Sequence, residues 1–116
     1  MNISSLTKPS HKNISGWISS ASTHALTSIQ AVLADESTTD PTWFKTVRKR
    51  RLRQLATEIF TLKLVEVSKH RWSETDFEGK NHSYAVTAAI DALTRKATHI
   101  FNQLAFEMEK QSRVQD

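Results

Sequence analysis

At 116 residues with 38% apolar residues and a formal net charge of +4, the chain has the length of one domain and a core of modest size. It has no cysteine, which excludes disulfides, thiolate zinc sites and cysteine nucleophiles. No apolar run reaches the ~20 residues of a membrane span, and MNISSLTKPS lacks the apolar centre of a signal peptide, so a cytoplasmic protein without membrane contact is expected.

The charge is unevenly placed. Residues 1–40 carry net −1, residues 41–71 net +7 and residues 72–116 net −2. One segment therefore holds the positive field, and a local field says more about a partner than the whole-chain charge does.

Residues 1–12 read as a flexible polar arm ahead of a single helical domain over 13–111, with 112–116 as a polar tail. From Asn13 to Asp35, apolar residues recur at Ile14, Ile18, Ala21, Ala25, Ile29 and Val32, the three- and four-residue steps of one helical stripe. Asn13 is a candidate N-cap, while Gly16 and many Ser and Thr weaken the intrinsic preference for helix. Glu36 to Asp40 reads as a short polar connection.

Asp40-Pro41 then opens what the pattern predicts as one long central helix, Thr42 to Lys69. Asp40 would cap it and Pro41 would sit at its first position, where the missing N–H is harmless. Phe44, Val47, Leu52, Leu55, Ala56, Ile59 and Leu62 form a broad apolar face. Phe60 to Val67 (FTLKLVEV) also alternates as a strand does, and the sequence leaves helix or strand open there. After a break near Ser73–Gly79, read as one short connecting helix, a last helix runs from Ser83 to Gln111. Its Val86, Ile90, Leu93, Ala97, Ile100 and Leu104 follow a heptad seam that could pack within the chain or against a second copy, giving a homodimer through 83–111. The fold class expected is all-α: a small bundle of three long helices plus one short connecting helix.

The chemistry is mostly exclusion. Two glycines in the whole chain leave no phosphate-cradling Gly-rich loop, and neither a nucleophile elbow nor an H-E-x-x-H motif is present. Glu66 and His70 share a helical face but read as a surface pair rather than metal ligands. Glu74, Asp76 and Glu78 read as capping and solvation. Asp91 reads as exposed or paired with Arg95 at i+4. No catalytic residue, metal or cofactor is assigned, and no enzyme activity is expected.

The basic block carries the functional expectation. Lys45, Arg48, Lys49, Arg50, Arg51 and Arg53 fall within a stretch, Thr42 to Thr57, that contains no acid. Solvated faces usually mix signs, and Arg forks grip phosphate oxygens bidentately. The leading expectation is a non-enzymatic nucleic-acid-binding accessory protein, for DNA or RNA. The alternative is a small helical adaptor or inhibitor on an acidic protein surface, such as a phage- or plasmid-encoded protein that blocks host nucleic-acid machinery. Trp17, Trp43 and Trp72 are its candidate interface anchors.

Overall fold

A computed structural model of the chain describes residues 11–69 and 80–115. They form helix α1 (His11–Thr39), the single-turn helix α2 (Trp43–Thr46), α3 (Lys49–Ser68) and α4 (Lys80–Gln115). Among the described residues there is no strand. The expected connecting helix near residues 73–79, with Trp72, His70 and the Glu74–Glu78 acids, lies outside them. The short helix that is described sits instead at Trp43–Thr46.

α1, α3 and α4 pack along one another into a body measuring 69 × 23 × 18 Å. One stripe from each helix meets in the core: Ile14, Ile18, Ala21, Ala25, Ile29 and Leu33 from α1, Leu52, Leu55, Ala56, Phe60 and Leu64 from α3, and Val86, Ile90, Leu93 and Ala97 from α4. Close approach of the helices falls to Ala21, Ala25, Ala56 and Ala97, all fully buried. Ala88 is exposed. The first four positions of the α4 seam are buried inside the chain, and Ile100 and Leu104 lean partly buried against the same core. Those four positions are thereby closed to a second copy.

α1 is longer than its pattern suggested. It begins by His11, so Asn13 lies inside it rather than capping it, and it continues through Glu36–Thr39, expected as a connection. The extension follows from Leu33 and Ser37, which prolong the buried stripe by one turn. The hydroxyls of Ser37, Thr38 and Thr39 donate back to the carbonyls of Ala34 and Asp35 at 2.8, 3.0 and 2.8 Å, satisfying themselves on the helix they would otherwise interrupt.

The long central helix is broken at Val47–Arg48, both in extended backbone. The cause is phase. Trp43 and Leu52 are nine positions apart, so a continuous helix would turn about 900° between them and place them on opposite sides. Both are buried, at 2% and 3% exposure, so the backbone resets its phase between them. Asp40 still organises the corner: its Oδ1 accepts the Thr42 N–H at 2.9 Å and the Thr42 hydroxyl at 2.8 Å. Pro41 lies in the turn, not in a helix.

FTLKLVEV is helical. Phe60 and Leu64, four apart, are buried, whereas Leu62 is 63% exposed and so leaves the apolar face expected for it. α3 ends at Lys69, whose φ of 59° is left-handed and whose N–H reaches the Val65 carbonyl. α4 starts by Lys80, so Ser83 does not cap it, and it runs past Gln111 to Gln115.

Candidate nucleic-acid interface

The reset at Val47–Arg48 decides where the basic side chains go. Arg48 occupies the N-cap position of α3 in extended conformation, with no side-chain cap, and the first turn behind it is Lys49, Arg50 and Arg51 with no acid. Arg48 Nη1 donates to the Lys45 carbonyl at 3.0 Å, and Lys45 Nζ lies 5.7 Å from the Phe44 ring centroid.

Two of the six basic residues are already paired. Arg51 Nη2 contacts Glu36 Oε1 at 2.8 Å, while the other oxygen of Glu36 accepts the Trp43 indole N–H at 3.3 Å. Arg53 Nη1 contacts Asp91 Oδ1 at 2.6 Å, tying α3 to α4. Asp91 is therefore paired with Arg53, not with Arg95. The four side chains keep 30–51% of their surface in solvent, so each pair contributes at most ~1 kcal/mol to stability. Their larger effect is on charge. Lys49 and Arg50 have no ion-pair partner among the described residues.

These side chains open onto a groove between α3 and α4, lined by Lys49, Arg50, Arg53, Thr94, Arg95 and Thr98. It continues on its α3 side into a depression bounded by Arg50, Arg53, Gln54, Thr57 and Glu58. On the far flank of α4, Arg95 borders a second hollow with Lys96, His99, Gln30, Leu26 and Ala92. The threonine hydroxyls are engaged: Thr57, Thr94 and Thr98 donate to the carbonyls of Arg53, Ile90 and Thr94 at 2.8, 2.7 and 2.9 Å. Donation to an anion in the groove is left to the cations. With Asp91 paired to Arg53, Lys49, Arg50 and Arg95 line the groove with no ion-pair partner among the described residues, and Glu58 bounds the adjoining depression.

The block expected from the sequence is thus divided. Lys49, Arg50 and Arg53 come together in the groove. Arg51 sits on the other side of α3, held by Glu36, and Lys45 and Arg48 lie at the corner before it. Arg95 and Lys96 were missed, because Asp91 four residues before Arg95 looked like its helical partner. Trp43 is 2% exposed, its ring 4.7 Å from that of Phe101 at 49°, so it anchors the core and offers no stacking face to a ligand. Trp17 is partly buried against the same core. Among the described residues no group of three His, Cys, Asp or Glu gathers as metal ligands, and no helix is long and apolar enough to cross a membrane. No family model, curated protein or solved structure matches the chain, so its functional reading rests on this geometry.

Proposed function

We propose that the protein is a non-enzymatic nucleic-acid-binding accessory protein that holds phosphates in the groove between α3 and α4. The observation that carries this is the convergence of Lys49, Arg50 and Arg53 from one helix with Arg95 from another on one groove, with Arg53 tied to Asp91. Two helices aiming guanidinium groups at one trough suit a line of phosphate oxygens, and such contacts give affinity with steep salt dependence and little base reading.

The rival, a helical adaptor or inhibitor on an acidic protein, has lost part of its support. Of its three aromatic anchors, Trp43 is buried and Trp17 is half-buried.

Fluorescence anisotropy across a salt series tests the proposal, with labelled DNA and RNA and the Arg50→Glu/Arg95→Glu double variant. Binding that weakens linearly in log salt and collapses in the double variant supports it. Binding that survives the charge reversal unchanged overturns it, and a stoichiometric partner recovered after nuclease treatment would favour the rival.

A further inference from the structure

Tyr84 and Phe106 are the exposed aromatic side chains of α4, at 79% and 65% exposure. Each lies eleven residues from Arg95, Tyr84 before it and Phe106 after it. Eleven residues turn an α-helix through three turns plus about 20° and advance it roughly 16 Å, so Tyr84, Arg95 and Phe106 stand in one nearly straight line. Asp91, seven residues after Tyr84, falls on the same line and points its carboxylate at Arg53 across the groove. Thr87 and Ala88, between Tyr84 and Asp91, are exposed and small, so no bulky side chain interrupts the track there.

We infer that the ligand of this surface is a single strand of nucleic acid rather than a duplex. The inference rests on the phosphate-binding reading above. Lys49, Arg50 and Arg95 would grip the backbone at the middle of the track, and Tyr84 and Phe106 would each receive an unstacked base at its two ends. A duplex keeps its base faces inside its own stack and has no use for an exposed ring beside a basic groove. An unpaired strand presents those faces, and base–aromatic stacking next to a basic trough is how strands are held without sequence preference.

The test compares a labelled oligothymidylate with a hairpin duplex carrying the same number of phosphates, using the intact protein and its Tyr84→Ala, Phe106→Ala and Tyr84→Phe variants. Both rings are exposed, so helicity and thermal stability should not change. The expected result is preference for the oligothymidylate, a roughly fivefold to tenfold weakening in each alanine variant at unchanged salt slope, and retention in Tyr84→Phe. A duplex bound as tightly as the strand, or alanine variants that bind the strand like the parent, would overturn the inference while leaving phosphate binding intact. Failure to bind either probe at low salt would remove both.

Discussion

Arg53 and Asp91, 38 positions apart in the chain, meet at 2.6 Å and join α3 to α4 across the basic groove. The carboxylate competes with any anion for the guanidinium. Replacing it by Asp91→Asn should free one cation, so polyanion binding should tighten and its log–log salt slope should steepen by about 0.7–0.9, one phosphate contact. The loss of stability should stay under ~1 kcal/mol, because the pair is half-exposed. Anisotropy and a urea melt on the same preparation read both. Weaker binding would mean that Asp91 serves to aim Arg53 rather than to mask it.

Arg48 caps α3 with its backbone alone. Arg48→Ser would supply a hydroxyl to accept an N–H of the first turn, and it should raise stability by about 0.5–1 kcal/mol. The same change removes a cation beside the groove, so affinity for phosphate should fall. Stability and binding should move in opposite directions, which a denaturation curve and a binding curve together would show.

Phe60, Leu62 and Leu64 separate helix from strand by experiment as well as by geometry. In a strand all three would share a face. In α3 only Phe60 and Leu64 are buried. Phe60→Ala should cost ~3–5 kcal/mol and Leu62→Ala less than about 0.5 kcal/mol, measured by urea unfolding. Similar costs at the two sites would contradict the helix.

Gly16 lies inside α1, and a Cβ built on it meets nothing within 4 Å. Gly16→Ala should therefore add roughly 0.5–1 kcal/mol of stability through the unfolded chain and the helix preference. An upward shift in the thermal midpoint with no change in nucleic-acid binding is the expected outcome.

The helices were legible in the sequence because their apolar stripes are periodic. Ile14 to Ile29 and Val86 to Ala97 needed only counting. The break at Val47–Arg48 was not legible, because no glycine or proline marks it between Trp43 and Leu52. It becomes necessary only once Trp43 is known to be buried, and Trp43 read as an interface anchor. The alternation in FTLKLVEV left helix or strand open because Leu62 is an apolar residue on a wet face. Of the groove, the α3 side was visible as a charge run. Its α4 side was not, since Arg95 becomes available only when Asp91 finds a partner on another helix. That is a tertiary relationship, and helical spacing pointed to the wrong pair.

Glu36 bonds Trp43 seven positions ahead and Arg51 fifteen positions ahead, both short intervals. From α4, the Phe101 ring lies against the indole, 4.7 Å between centroids. On a ribosome the turn linking α1 to α3 can therefore close while the last helix is still unmade, at low loop-closure cost. Until α4 arrives, the hairpin lacks Val86, Ile90, Leu93 and Ala97, which complete its core. The final helix thus acts as the lid of a preformed half-core, and a chain cut short before Val86 would leave that half-core open to chaperones and to aggregation.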